Sequence, residues 1–177
     1  KVHQWIEYTY HHELDGTVYR QTASVNDEVD EYGNVTRHEF RSRNNPTQGW
    51  LSLVVSDSTF DNDKTNWLLS QKTGENLIKW VSGKESRSRV TSILYNQRGL
   101  PVEIRRDPDQ SSHWRTTLLS YDGFGNVVSS TVSGADIETR TESTVYDVRG
   151  HHPVSNRNAL GHITHFTQYD WKCSAPT

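Results

Sequence analysis

Nine histidines are the first residues that could do chemistry, because imidazole nitrogens bind metals such as zinc. The closest group is His162 and His165, which lie across a predicted hairpin from residues 151–152. On a strand, residues three apart and residues next to each other both point to opposite faces, so neither pair readily shares one ion. The pair at residues 11–12 has the same difficulty. We therefore predict structural or surface histidines and no metal site.

Acidic clusters are the second candidate, since calcium binds several oxygen ligands from one loop. The richest clusters are DEVDE (Asp27–Glu31) and DNDKTN (Asp61–Asn66). The second alternates oxygen-bearing side chains but lacks the turn glycine and the distal glutamate of a calcium loop. Solvated turns are therefore the favoured interpretation of both. A carboxylate pair for glycoside hydrolysis has no support from the sequence, because the separation that it requires is spatial.

Nucleophiles and phosphate-binding loops have no signature in the sequence. There is no Gly-x-Ser-x-Gly motif and neither of the glycine-rich motifs that bind nucleotide phosphates. The single cysteine, Cys173, excludes an internal disulfide and lies in a tail with no identifiable base, so we expect an inert thiol. We predict no catalytic residue, no cofactor and no enzymatic activity.

Tryptophan is the last residue type with a specific chemistry, because its ring can stack on a sugar. The side chains that could form such platforms are Trp5, Trp50, Trp67, Trp80 and Trp114. In a chain with few aliphatic residues, large rings more often pack in the core. We therefore expect core packing, with carbohydrate binding as the alternative.

The composition limits the classes of partner. The chain has 177 residues, a net charge of -3 and a pI near 6.3, so nothing predicts a nucleic-acid interface. No apolar run approaches the roughly 18 residues that a membrane-spanning helix requires. The chain begins with Lys1 and contains no methionine, so we expect a piece of a longer protein or a processed chain.

The elements that position these residues are predicted to be strands. Apolar residues follow the helical period only in the short segment Asn76–Gly83, and this segment fits a strand equally well. Side-chain alternation is clearer at Arg115–Asp122 and His162–Asp170. Clusters of turn-forming residues predict turns at residues 13–16, 30–34, 44–49, 61–66, 72–76, 96–99, 107–112, 122–125, 147–150 and 158–161. The predicted fold is all-β, built from consecutive antiparallel hairpins.

One kind of turn recurs along the chain. The segments LYNQRG, SYDGFG and VYDVRG each contain tyrosine, then aspartate or asparagine, two variable residues and glycine. Their glycines are separated by 26 and 25 positions: Gly99, Gly125 and Gly150. Another Tyr-Asp pair begins at Tyr169, 23 positions after Tyr146, and a degenerate copy lies at Glu28–His38. Glycine closes such a hairpin turn in the left-handed conformation, so we predict a positive φ at Gly125.

This pattern resembles the RHS/YD-repeat family. Residues 146–170 are the closest match, because both turns and both Tyr-Asp ends are present. Residues 121–146 keep the first turn but have Val132–Asp136 in place of the second. Thr59–Glu75 is similar to the Trp-Leu-Leu segment that precedes the repeats in SpvB-like and insecticidal Tc-toxin B-type members. The clear resemblance covers about residues 90–170 and the weaker part about residues 25–90.

The resemblance implies an architecture. Members of the family place hairpins side by side in a strip of sheet that spirals into a hollow shell around a toxic or reactive segment. Here it implies an N-terminal β segment with a degenerate repeat (1–90) and YD-repeat hairpins (91–177), which together form one curved or spiral sheet. The family's self-cleavage motif has no counterpart in this chain, so no autoproteolytic aspartate is assigned.

The resemblance also implies a function: a non-enzymatic structural segment of a bacterial protein that is secreted or lies on the cell surface. Its partners would be the rest of the parent chain or toxin-complex subunits, with self-association through sheet edges as a further expectation. An adhesin or glycan-binding module is the alternative. The residues that would carry the repeat are the turn formers and a ladder of tyrosines: Tyr95, Asn96, Gly99, Tyr121, Asp122, Gly125, Tyr146, Asp147, Gly150, Asn158, Gly161, Tyr169 and Asp170.

Overall fold

The computed structural model describes residues 5–166, 169–170 and 175–176. All regular elements in these ranges are strands: β1 (Trp5–His12), β2 (Val18–Val29), β3 (Val35–Arg43), β4 (Ser52–Asp63), β5 (Leu68–Val81), β6 (Arg87–Tyr95), β7 (Pro101–Arg106), β8 (Arg115–Tyr121), β9 (Val127–Gly134), β10 (Ile137–Tyr146), β11 (Pro153–Arg157), β12 (Ile163–His165), β13 (Tyr169–Asp170) and β14 (Ala175–Pro176).

The first twelve strands form one sheet in which the spatial order is the chain order, from β1 to β12. Strands β13 and β14 form a separate two-stranded antiparallel sheet. Short turns reverse the chain between successive strands, which makes neighbouring strands antiparallel. The prediction of an all-β chain of consecutive antiparallel hairpins is therefore confirmed.

One predicted turn is wrong. Residues 72–76 lie inside β5, where they pair with both β4 and β6. The glycine that suggested a turn, Gly74, has another role: a Cβ on it would lie 2.7 Å from Oγ1 of Thr59 on the neighbouring strand. Glycine is needed here for close strand packing. The turn that follows β5 contains Gly83, with a φ of +74°, and the sequence did not predict it.

The last predicted strand is also shorter than expected. Within His162–Asp170, the structure has β12 at Ile163–His165 and the separate β13 at Tyr169–Asp170. These two strands belong to different sheets, so the side-chain alternation of this segment does not represent one continuous strand.

The chain divides into two compact units, Lys1–Ser92 and Ile93–Thr177. In the first unit, small apolar side chains are buried by larger side chains on the same face of the sheet. Ala23 and Val25 are buried, and their direct partners on β1 are the exposed Tyr8 and Ile6. Directly paired residues project from the same face, so the large side chains cover the small ones from the side.

Polar side chains complete this face. Glu39 is buried and accepts hydrogen bonds from Arg37 Nη2 at 3.3 Å and from Arg41 Nε at 2.9 Å. Gln21, the most buried large side chain, accepts one from Arg43 Nε at 2.7 Å. A buried polar group is costly unless it is hydrogen-bonded, and these bonds meet that cost. Charged side chains therefore take part in the packing of this unit.

Candidate functional site

The turn between β8 and β9 shows how the recurrent motif works. Asp122 N donates to Asn126 O at 3.0 Å, and Gly125 N donates to Asp122 O at 3.2 Å. The Asp122 Oδ1 atom accepts two further backbone bonds, from Phe124 N and Asn126 N, each at 2.9 Å. Gly125 has a φ of +95°, which confirms the predicted left-handed conformation. One carboxylate thus organises the whole turn.

The same pair of backbone bonds recurs at turns that begin with Glu13, Asp30, Asn96 and Asn158. In each, the fourth residue is a glycine with positive φ: Gly16, Gly33, Gly99 and Gly161. The turn that begins at Asp147 is one residue longer, because Asp147 N donates to His152 O, yet Gly150 keeps its positive φ of +69°. The degenerate copy in the first unit therefore has the same local geometry as the clear copies.

In the second unit, hydrogen bonds join consecutive Tyr-Asp turns. Arg98 Nη1 donates to Asp122 O at 3.1 Å, and Asn126 Nδ2 donates to Gly150 O at 2.8 Å. The Phe124 ring lies over Gly150, so close that a Cβ on this glycine would overlap the ring. The turns at 96–100, 122–126 and 147–152 therefore form a contiguous series, which we call the turn row.

Tyrosine hydroxyls join strands in the same way. Tyr121 Oη donates to Pro101 O at 2.6 Å, and Tyr169 Oη donates to Pro153 O. Each proline lies just after the preceding Tyr-Asp turn. Burial raises the pKa of Tyr95 and of Tyr121. Tyr146 is half-buried at the end of β10, and Asp170 lies in β13.

The turn carboxylates are held in the ionised form. Partial burial acts to raise the pKa of Asp122, but hydrogen bonds from Asn126, Phe124 and Gly125 together outweigh it and lower that pKa. At Asp147 the backbone hydrogen bond from His151 is the largest influence and lowers the pKa. These carboxylates are hydrogen-bond acceptors for the backbone, and this role does not suit a general acid, which must carry a proton.

The acidic clusters of the first unit are organised similarly. Asp63 accepts hydrogen bonds from Thr65 N, Asn66 N and Asn66 Nδ2. Asn62 Oδ1 accepts one from Ser70 N at 2.9 Å. Oxygens of Asp63 and Asn62 therefore accept hydrogen bonds from the chain itself. The interpretation of both clusters as turns is only partly right, because residues 61–63 end β4 and residues 27–29 end β2.

The described histidines lie in several different strands and turns. His162 and His165 are both exposed, and His152 stacks on the Tyr169 ring at 4.5 Å between centroids. Over the described residues, no three histidine, cysteine, aspartate or glutamate side chains are grouped in a way that could hold a metal ion. Cys173 lies outside the described residues.

Core packing is the wrong interpretation for three of the tryptophans. Trp5, Trp67 and Trp80 are 53%, 80% and 38% exposed. Trp50 is half-buried under the Arg43 guanidinium, 4.5 Å from its ring, and Trp114 is half-buried. Few apolar side chains of the described residues are buried, so these large rings have no deep core in which to pack, and this explains the error.

Sequence reasoning missed the asparagine that follows the turn glycine. Asn126 Nδ2 donates to Asp122 Oδ2 at 3.0 Å as well as to the next turn. In the first unit, Asn34 Nδ2 donates to Asp30 Oδ2 at 2.8 Å and to Asn62 Oδ1 at 3.3 Å. The recurring Gly-Asn dipeptide after an aspartate three residues earlier was the available signal.

Scans against protein-family models and curated proteins match no family and no characterised protein. The described residues contain no helix that is long and apolar enough to cross a membrane. The turn row and the exposed rings are therefore the features on which a functional proposal can rest.

Proposed function

We propose that this chain is a non-enzymatic structural segment of a secreted or cell-surface bacterial protein of the RHS/YD-repeat type, where it forms part of a β wall that encloses or presents an effector segment. The turn row carries this proposal. Each turn is closed by its own aspartate or asparagine, and Arg98 and Asn126 bond the first turn to the second and the second to the third. Such bonds stabilise a repetitive strip, which is what a structural segment requires.

The distribution of buried residues supports a structural role. In repeat proteins, each unit is too small to bury a core alone and is stabilised by its neighbours. Here the buried apolar side chains of the described residues are only Ala23, Val25 and Val55. Stability must therefore come largely from backbone pairing, turn hydrogen bonds and side chains that pack along the sheet.

Limited proteolysis of the full parent protein tests this function. We expect a segment outside these 177 residues to resist protease in the native protein and to be cleaved rapidly when expressed alone. The variant N126A, which removes the bond to the next turn, should increase the cleavage rate of that segment. Equal cleavage of the segment inside and outside the parent protein would refute the enclosure role.

An open sheet edge offers a site for self-association, which is compatible with the same structural role. Strand β1 lies at one edge of the sheet, and all eight of its residues are exposed. An unpaired edge presents backbone donors and acceptors to another strand. We expect concentration-dependent association in analytical ultracentrifugation, and a lysine substitution at Tyr8 should weaken it.

Glycan binding is the second candidate function, and one loop favours it. Trp67 is 80% exposed and has a φ of +54°, which is unusual for an aromatic residue. Ser70 also has a positive φ, and Asp63 and Asn62 hold the loop with hydrogen bonds. Strained backbone that presents an exposed ring is a feature of binding sites.

A glycan array on the purified chain separates the two functions. Specific binding that is lost in W67A and kept in W114A would favour a carbohydrate-binding module. Trp114 is the matched control because it is half-buried. Absence of binding, or equal loss in both variants, would leave the structural function as the better proposal.

A further inference from the structure

A cleft in the second unit carries a concentration of arginines that the turn row does not use. It has a volume of about 260 Å³ and is lined by six residues from β8, β9 and β10: Arg115, Ser130, Val132, Ile137, Arg140 and Glu142. The lining combines apolar side chains, Val132 and Ile137, with charged ones, Arg115, Arg140 and Glu142.

Strand register explains why these side chains meet. Arg115 pairs with Gly134, and Gly134 pairs with Ile137. Val132 pairs with Arg140 on β10. Directly paired residues project from the same face, so both arginines and both apolar residues share one face of the sheet.

A glycine lies beside the cleft, where it pairs with Arg115 and with Ile137. A Cβ on Gly134 would lie 2.9 Å from Trp114 O and 3.0 Å from Ile137 Cγ1. No side chain can therefore occupy the position between Arg115 and Ile137 without moving the backbone of the adjoining turn. Glycine at this position therefore allows the Ile137 side chain to pack closely on the backbone next to the cleft.

The charges of the cleft are poorly compensated. Arg106 pairs directly with Arg115, which places two positive charges at opposing positions. Like charges at such positions destabilise a sheet. Within the part of the chain that the structure describes, Arg106, Arg115 and Arg140 make no ion pair, and Glu142 is the one acidic residue that lines the cleft. A ligand with carboxylates would relieve this repulsion.

We propose that this cleft binds an acidic polypeptide segment. Arginine pairs in a planar, bidentate manner with carboxylates. Two carboxylates would contact Arg115 and Arg140, an apolar side chain between them would pack on Val132 and Ile137, and a basic residue would pair with Glu142. This inference does not rest on the proposed function, because it requires only the face of β8–β10.

The composition of the cleft favours a peptide over a dense polyanion. A phosphate or a sulfated glycan would use the arginines but would gain nothing from the apolar side chains of Val132 and Ile137. It would also bring negative charge close to Glu142. An amphipathic acidic chain satisfies all three kinds of lining residue.

The test is fluorescence polarisation with the 177-residue chain and a fluorescein-labelled peptide that alternates aspartate and leucine and ends in lysine. We expect the double variant R115Q/R140Q to bind about tenfold more weakly, because two exposed charge pairs are lost. The matched control is R149Q/R157Q, which removes the same charge from a turn and from the opposite face of the sheet. It should bind like the wild type.

Two further measurements make the test specific. E142Q should abolish the preference for the lysine-ended peptide over one that ends in alanine. R115Q should melt no lower than the wild type, because it removes repulsion from Arg106. The proposal is overturned if the wild type does not bind the peptide, if the control loses as much affinity as R115Q/R140Q, or if inorganic phosphate or heparin binds more tightly than the peptide.

Discussion

Gly125→Ala isolates the energetic contribution of a left-handed turn glycine. Gly125 has a φ of +95°, and a Cβ on it would meet only Arg98 Nη2 and Leu100 Cδ1, both at 3.7 Å. That distance is ordinary van der Waals contact, so the substitution creates no clash. Its cost is the left-handed conformation of an L-residue, about 1–2 kcal/mol. We expect the free energy of unfolding to fall by this amount.

Two other glycines provide the comparison. Gly123 lies in the same turn, its φ is not positive, and a Cβ on it would meet nothing within 4 Å. Gly123→Ala should therefore be neutral or stabilising by about 0.4–1 kcal/mol. Gly150 combines a φ of +69° with the contact to Phe124, so Gly150→Ala should cost more than Gly125→Ala. In a Phe124→Ala background, the excess should disappear.

Urea denaturation followed by circular dichroism measures these differences, and thermal melting gives a second value. A change of 1 kcal/mol corresponds to about 2–4 °C for a chain of this size. The predicted order of stability is Gly123→Ala, Gly125→Ala, Gly150→Ala, from most to least stable. Equal stability of the Gly123 and Gly125 variants would show that the backbone conformation of the turn has been misassigned.

Three further substitutions test other contacts. Tyr121→Phe removes the hydrogen bond to Pro101 O and should lower the free energy of unfolding in urea by about 1 kcal/mol. An unchanged free energy would mean that this hydroxyl does not stabilise the fold. The pKa of Asp122 is lowered in the folded chain, so its ionised carboxylate stabilises the fold above the unfolded pKa. This stabilisation is lost as the pH falls through the folded pKa, and the wild type should lose stability below about pH 4. Asp122→Asn keeps an acceptor oxygen without titrating, and its stability should decline less in acid than that of the wild type. Glu39→Gln weakens the hydrogen bonds from Arg37 and Arg41 and should lower the free energy of unfolding by about 2 kcal/mol. An unchanged urea midpoint would contradict the packing role of this carboxylate.

The turns were the part of the fold most accessible from the sequence. Aspartate or asparagine followed three residues later by glycine has one dominant local use, and the positive φ values at Gly99, Gly125, Gly150 and Gly161 agree with it. Gly74 lacks such an aspartate or asparagine, and its role depends instead on Thr59 of the neighbouring strand. Such a contact between strands has no signature within either segment.

The environment of large side chains was less predictable. Tryptophan was assigned to a core on the basis of its usual behaviour, yet Trp67 is exposed. Local patterns do not reveal whether a sheet has a second layer against which such rings could pack. The arginine cleft was missed for a related reason: Arg115 and Arg140 are 25 positions apart and become neighbours only through the register of β8, β9 and β10.

The agreement between chain order and spatial order has an evolutionary consequence. Because strands pair with those adjacent to them in sequence, two successive strands can be duplicated or deleted as a block while the remaining partners keep their registers. The turns between successive strands alternate between the two ends of the strands, and this alternation is kept when a pair of strands is added or removed. A gene encoding such a strip can therefore change length in steps of one hairpin, and differences in repeat spacing such as 26 and 25 residues would be a record of small adjustments within those steps.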